Sequence, residues 1–271
     1  MDEDRYHVAT RVVKVLFILL VSVLANAQKP SADDVNKANN PLTPAITVNL
    51  QDQGQPELYD QDQGANSFLL RGVVPHNLGG LRQIVRFTLP TVTTPNGKGG
   101  MATGLGDLNL FDLAIFPVKK ARIALGFGPQ FTFPTASETL TGSGKWQAGV
   151  AVVAVAPRKW GIAGTLLTWQ HSFAGDSTRP DQNSLVFQPL FIFNLPNGYY
   201  LRSTAGWNFD LERSHYVIPI GAGAGKVWLL HGGTSINVFA EPQWTVAWNG
   251  VGEPQFQVYG GVNMQFPLKA K

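Results

Sequence analysis

The 271-residue sequence contains no cysteine and only 14% charged residues. The lack of cysteine excludes a small secreted module held together by disulfides. Because 44% of the residues are hydrophobic, the chain is also not of the disordered class. Beyond the N-terminus, polar residues, glycine or proline interrupt every apolar run, which excludes a helical membrane protein. The 21 basic and 18 acidic residues leave a net charge of +3, too small to predict a nucleic-acid partner.

The N-terminus has the pattern of an export signal. Residues 15–24 are apolar, follow Arg11 and Lys14, and precede a small-residue site that ends at Ala27. This order is typical of a secretory signal peptide, and the apolar segment is too short to span a bilayer, which needs about 20 residues. We therefore expect residues 1–27 to be a signal peptide cleaved near Ala27, in preference to a retained membrane anchor.

The rest of the chain divides into a polar leader and an alternating body. Residues 28–65 are rich in asparagine, glutamine, aspartate and proline, and we expect an exposed leader with a possible first strand near 46–50. From residue 66 onward, apolar residues fall on every second position, as from Ile123 through Phe127 to Phe131. Each such segment therefore has one apolar and one polar face.

Eleven segments of this kind follow residue 66, separated by turn-forming residues. They cover 66–74, 81–89, 105–116, 121–133, 145–156, 160–171, 184–194, 199–210, 216–230, 234–246 and 254–266. Their length suits tilted strands that cross a bilayer, which need about 9–11 residues. Backbone groups find no partner in lipid, so such strands must close into a barrel. We expect an all-β fold, a transmembrane antiparallel up-and-down β-barrel over residues 66–267 with a tail at 268–271. With the strand near 48 the count is about 12, with 10 as the alternative, since even numbers are the rule.

Aromatic residues near the strand ends suggest a girdle at the membrane interfaces, although aromatic residues also favour strands in general. They are Trp146, Trp160, Trp169, Tyr199, Tyr200, Trp228, Trp244 and Trp248.

Charged residues on the polar parity are the candidate lining of the lumen. They are Arg71, Arg82, Arg86, Arg122, Arg202 and Glu241. One interpretation is a positively lined passage for anions or for amphipathic molecules with a negative end. The other is an internal salt-bridge network that fills a narrow barrel. Asp107 and Asp112 have opposite parities, so one of them should face outward, in an interfacial zone or a bulge.

Catalytic and cofactor motifs are not evident. The neighbours His171 and Ser172, like Ser214 and His215, would point to opposite faces of a strand. The glycine-rich stretch 221–226 lacks the spacing of a phosphate loop, and glycine there would instead let the wall bend or an inner group approach closely. We therefore expect no enzyme, no cofactor and no metal site.

Several segments resemble one known family. They are Asn40-Pro41-Leu42-Thr43-Pro44, residues 104–112, the loop Phe133-Pro134-Thr135-Ala136 with Gly144-Lys145-Trp146-Gln147, and residues 220–226. Over residues 40–267 the chain resembles the outer-membrane transporter-like proteins of the meta-pathway phenol-degradation family, some of which are labelled neuromedin U. The resemblance implies a Gram-negative outer-membrane barrel that passes small or aromatic molecules, with outer-membrane lipid and the barrel-assembly machinery as partners. Such barrels usually end on an aromatic residue, whereas Phe266 is followed by five more residues, so assembly either tolerates this tail or is less efficient.

These observations favour a passive channel or transporter in the bacterial outer membrane for small, aromatic or anionic solutes. A structural barrel with a closed lumen is the first alternative. A periplasmic lipid-binding barrel with an inward apolar face is the second. The direction of Phe127, Trp207 and Phe256 relative to the sheet separates the membrane barrels from the lipid carrier.

Overall fold

The computed structural model describes residues 28–268, so the expected signal peptide lies outside the described residues. One helix, α1 (Ala32–Asn39), precedes twelve barrel strands. The strands are β1 (Ala45–Leu58), β2 (Ala65–Leu78), β3 (Leu81–Pro95), β4 (Met101–Leu105 and Leu108–Val118), β5 (Ile123–Phe133), β6 (Lys145–Arg158), β7 (Gly161–Gly175), β8 (Asn183–Asn194), β9 (Tyr199–Ser203 and Trp207–Asp210), β10 (His215–Gly221 and Gly223–Leu229), β11 (Ser235–Asn249) and β12 (Pro254–Pro267). Within residues 28–268 no helix is long and apolar enough to cross a membrane.

The strands form one closed antiparallel ring. Each strand pairs with its neighbours in sequence, and β1 pairs with β12 from Ala45 opposite Pro267 to Leu58 opposite Pro254. Closure gives both outer strands a partner, as an apolar-walled sheet requires in lipid. The prediction of a twelve-stranded antiparallel barrel is confirmed.

Two strands are interrupted where a carboxylate accepts hydrogen bonds from backbone N–H groups. In β4 the break at 106–107 lets Asp107 accept hydrogen bonds from the backbone N–H groups of Ala136 and Ser143. In β9 the break at 204–206 directs the Thr204 N–H to Glu241 Oε1, at 2.7 Å. The Thr204 N–H, which lies at a break in the strand pairing, thus has a charged acceptor inside the barrel.

The two ends of the barrel differ in their connections. At the turn end, where β1 begins and β12 ends, the strands are joined by short links at 79–80, 119–122, 159–160, 195–198 and 230–234. At the loop end the links are 59–64, 96–100, 134–144, 176–182, 211–214 and 250–253. The two longest links, 134–144 and 176–182, both lie at the loop end.

The apolar parity forms the outer wall. Phe127 is 53% exposed, and Phe256 packs against Trp244, whose exposed fraction is 51%. Trp207 pairs with Phe187 on the same outer face. All three indicator residues therefore face outward, as a barrel in lipid requires.

Most of the expected girdle residues lie on the outer wall. Trp146, Trp160, Trp169, Tyr199, Trp244 and Trp248 are exposed. Tyr200 differs from this expectation because it is 0% exposed and donates a 2.6 Å hydrogen bond to Asn237 Oδ1 inside the barrel. Its position next to the outward Tyr199 gives it the opposite, inward direction.

Residues 28–44 cover the turn end of the barrel, with the buried face of the segment directed into the lumen, and we call this segment the plug. The Ser31 hydroxyl accepts the Asp34 N–H and begins helix α1, which contacts β7, β8, β10 and β11. Val35, Asn36, Ala38 and Leu42 are buried. The structure thus differs from the expectation of an exposed leader, and the barrel begins at residue 45 instead of 66.

The polar composition of the plug is explained by its hydrogen bonds to the wall. The Asn36 amide donates to the Arg158 carbonyl oxygen at 2.9 Å and accepts from Asn194 at 3.0 Å. The Asn237 amide in turn donates to Asn39 Oδ1 at 3.1 Å. Buried amides need such partners, so these asparagines bind the wall and not solvent.

Candidate lumenal site

The lumen has two chemically distinct halves. The dry half, at the turn end, consists of the plug and the inward apolar side chains of the surrounding wall. Its buried core contains Val35, Ala38, Leu42, Val73, Ile84, Leu113, Val153, Val155, Ile162, Ile192 and Val227. One signal for this half is visible in the sequence, because residues 148–156 of β6 are apolar or small on both parities, as when both faces of a strand pack on other groups.

The wet half, toward the loop end, is filled by amide side chains. Gln53 donates to Gln257 at 2.8 Å, Gln257 to Gln243 at 2.6 Å, and Gln243 to Glu241 Oε1 at 3.1 Å. These bonds link β1, β12 and β11 across the inner wall. On another part of the wall, Gln130 donates to Gln170 at 3.0 Å.

A buried ion pair lies between the two halves. Arg202 Nε donates to Glu241 Oε2 at 2.7 Å, and the Glu241 side chain is 0% exposed. Thr204 donates to the same carboxylate through its hydroxyl, and the Arg202 guanidinium lies 3.7 Å from the centre of the Phe239 ring. Glu241 is therefore neutralised and its oxygens have partners, as a buried charge requires.

The alternating glycines of β10 leave room for these inner groups. A Cβ atom on Gly221 would lie 2.5 Å from Glu241 Oε1, and one on Gly225 would lie 2.3 Å from the Tyr200 ring. The interpretation that these glycines admit an inner group is consistent with the contacts.

A cavity of about 180 Å³ lies beside the ion pair, between the plug and the wet half. Three of the expected lining residues, Arg71, Arg86 and Arg202, face it, and Glu241 holds Arg202. Phe111 and Tyr259 also line it, although neither belonged to the expected set. Alternation shows which face a side chain takes but not its depth along the barrel, so these two residues could not be chosen from the sequence.

Two of the expected lining residues lie elsewhere. Arg82 has the inward parity of Arg86, but it is exposed near the turn end, one residue after the start of β3. Arg122 belongs to the turn 119–122, where it has a positive φ of 52° and its carbonyl oxygen accepts a hydrogen bond from Arg158. The chain has left the strand there, so the parity argument does not apply to Arg122.

The two ambiguous aspartates are both held by hydrogen bonds. Asp107 anchors the 134–144 loop at the break in β4. Asp112 pairs with Val85 on the outer face, and its carboxylate lies 3.0 Å from His76 Nε2, near the turn end. The outward carboxylate is thus compensated by a neighbour, as its place in the wall requires.

At the loop end, the 176–182 segment is tied to β6 and β7. Lys145 donates to Asp181 at 2.9 Å, and the Ser172 hydroxyl donates to the same oxygen at 3.2 Å. The Lys145 hydrogen bond and charge lower the pKa of the exposed Asp181 carboxyl.

Comparisons with known proteins bear on the fold. No family model and no curated protein matches the chain. Among solved structures, an outer membrane channel from Pseudomonas putida F1 is similar, with a TM-score of 0.64 and 14% sequence identity over 89% of this chain and 98% of that one. The chain has the fold of an outer-membrane β-barrel. The β-domain of the Bordetella autotransporter BrkA is also similar, at 14% identity over 83% of this chain and 99% of the other, but its TM-score of 0.46 is too low to carry an argument. The resemblance to the meta-pathway family stays a prediction.

Proposed function

We propose that the protein is an outer-membrane channel for small molecules, exported after cleavage near Ala27, whose turn end faces the periplasm and is closed by the plug. The observation that carries this proposal is a lumenal cavity enclosed by a closed twelve-stranded wall, in a fold shared with a solved outer membrane channel. Short turns at the end where β1 begins and β12 ends are typical of the periplasmic side of such barrels.

The proposed solutes are small, and aromatic or anionic. The charged side chains on the described part of the cavity wall are Arg71, Arg86 and Arg202, and only Arg202 has a carboxylate partner among the described residues. A lumen with an excess of guanidinium groups favours anions.

A structural barrel with a closed lumen is the second candidate. It is favoured by the plug contacts and by the Arg202–Glu241 pair, which together occupy much of the lumen. The lipid-carrier alternative has less support, because large apolar side chains such as Phe127 and Trp244 are exposed on the outer wall.

Movement of the plug separates the two candidates. The chain has no cysteine, so the variant Asn36→Cys/Asn194→Cys introduces two thiols at positions whose amides are 3.0 Å apart. A short dithiol-reactive linker would hold the plug in the lumen, and the single variant Asn36→Cys is the matched control. The readout is the current through planar bilayers that contain the refolded full chain.

The channel proposal predicts that the cross-linked variant conducts less than the same protein without linker, whereas the linker leaves the single variant unchanged. Deletion of residues 28–44 should raise the conductance above that of the intact chain. A folded deletion variant that does not conduct would overturn the channel and favour the closed structural barrel.

A further inference from the structure

Arg71 and Arg86 form a pair of like charges inside the lumen. They lie on the neighbouring strands β2 and β3, where Arg71 is opposite Thr88 and Arg86 is opposite Val73. This makes them diagonal neighbours on the inner face, about 7–8 Å apart, with their Cβ atoms somewhat closer. Both side chains line the cavity.

Neither arginine of this pair has a carboxylate partner among residues 28–268, where Glu241 is held by Arg202. Arg71 Nη1 donates to Gln51 at 2.8 Å and to the Tyr259 hydroxyl at 3.2 Å, but its buried Nε has no partner within the described part of the chain. The buried Nε of Arg86 also has no partner among these residues, and its guanidinium lies over the Phe111 ring at 4.0 Å. Buried guanidinium groups in this state are costly unless an anion joins them.

The remaining wall of the cavity has a polar part, which includes Thr165 and Gln188, and an apolar part of similar extent. Its apolar side chains include Val73, Ile84, Leu113, Val153, Leu166, Leu190 and Ile192. The volume of about 180 Å³ is slightly larger than that of an engineered apolar cavity in another protein, about 150 Å³, which binds benzene. The space therefore suits an apolar body of about one six-membered ring.

We propose that this cavity binds one compact organic monocarboxylate, with its carboxylate between Arg71 and Arg86 and its apolar body against Ile84, Leu113 and Leu190. The proposal deepens the anion preference of the proposed channel and depends on it for entry of the ligand. Guanidinium groups form paired, charge-assisted hydrogen bonds with carboxylates, which would give the two Nε atoms a partner.

The test is calorimetric titration of the refolded full chain with three probes at neutral pH. Benzoate carries both the charge and a ring, acetate carries only the charge, and benzyl alcohol carries only the ring. Benzoate should bind about 10-fold or more tightly than either of the other two, as expected when a charge-assisted bond and an apolar contact act together. Equal binding of benzoate and benzyl alcohol, or of benzoate and acetate, would overturn the proposal without any variant.

Variants locate the site. Arg86→Gln and Arg71→Gln should each weaken benzoate binding by about 10-fold or more, whereas Arg86→Lys should retain part of it. Arg82→Gln is the matched control, because this exposed arginine of β3 does not line the cavity, and it should bind benzoate as the unmodified chain does. Unchanged affinity in both Arg71→Gln and Arg86→Gln would overturn the assignment.

Failure of the site and failure of the channel are distinguishable. Arginine-dependent benzoate binding in a barrel that does not conduct, even after deletion of residues 28–44, would support the binding site and contradict the channel. Conductance without benzoate binding would support the channel and contradict the binding site.

Discussion

The dry and wet halves of the lumen are built on the same strands, yet their inward side chains differ in chemistry. In β6 the inward residues change from Lys145 and Gln147 near the loop end to Val153 and Val155 near the turn end. In β8 they change from Gln188 to Ile192 in the same direction. The inner face is thus apolar where the plug covers it and polar where side chains bond to one another. The chemistry of the inward residues therefore depends on what they contact in the lumen, whereas the membrane determines only the outer face.

The largest expected effect is at the ion pair that separates the two halves. Glu241→Ala would leave the buried Arg202 without its carboxylate, and we expect the free energy of unfolding to fall by about 3–5 kcal/mol. Denaturant unfolding of the barrel in lipid vesicles measures this. Glu57→Ala, which removes an exposed carboxylate from β1, is the control and should change stability by less than about 0.5 kcal/mol. Equal free energies of unfolding in the two variants would show that the Arg202–Glu241 pair does not stabilise the barrel.

A smaller effect is expected in the dry half itself. Leu42 is 4% exposed, and a Cβ atom on Gly126 would lie 2.9 Å from its Cδ2. We expect Leu42→Ala to lower the free energy of unfolding by an amount near the lower end of about 2–5 kcal/mol, because the plug can relax into the space. The same unfolding measurement applies, with the exposed Leu140→Ala as control. If both leucine variants were equally stable, the plug would not be packed as the structure shows.

The smallest effect concerns the loop end. Because the folded pKa of Asp181 lies below its unfolded value of about 3.9, its bond to Lys145 stabilises the 176–182 loop fully above that value, and the contribution is lost as the pH falls through the folded pKa. Hydrogen exchange of the Gln182 amide, which donates to Ser172 Oγ, reports on this loop. Its protection should decrease below about pH 4 in the unmodified chain, relative to the amides of the strands. Asp181→Asn should show lower protection and no such pH dependence, and a pH effect that persisted in it would have another origin.

Alternation was sufficient to predict the wall of this molecule. The expected segment 121–133 matches β5, and 254–266 matches β12, because the two faces of each strand meet different surroundings. The one short segment near 46–50 was extended by the structure to Ala45–Leu58. Its glutamine-rich part lacks an apolar outer face because Asp52 and Gly54 take the outward positions, and Asp52 accepts hydrogen bonds from Asn66.

The interior could be predicted only in part. Arg71, Arg86, Arg202 and Glu241 were found because inward parity and charge coincide in them. The position of the plug could not be found in the same way, since asparagines that bond to a wall resemble asparagines that bond to water in a sequence. Parity also does not show depth along the barrel, which is why Arg82 was placed with the others. Arg122 was placed with them because the expected segment 121–133 begins two residues before β5.

Closure between β1 and β12 has a consequence for the order of folding. The two strands stand at opposite ends of the barrel sequence, so the pairing of Ile46 with Phe266 closes the longest loop of the fold and is expected to form late. Residues 28–44 immediately precede β1 and finish inside the ring. Because helix α1 contacts β7, β8, β10 and β11, the plug can pack only when these later strands are in place, so its packing also belongs to the last stage of assembly.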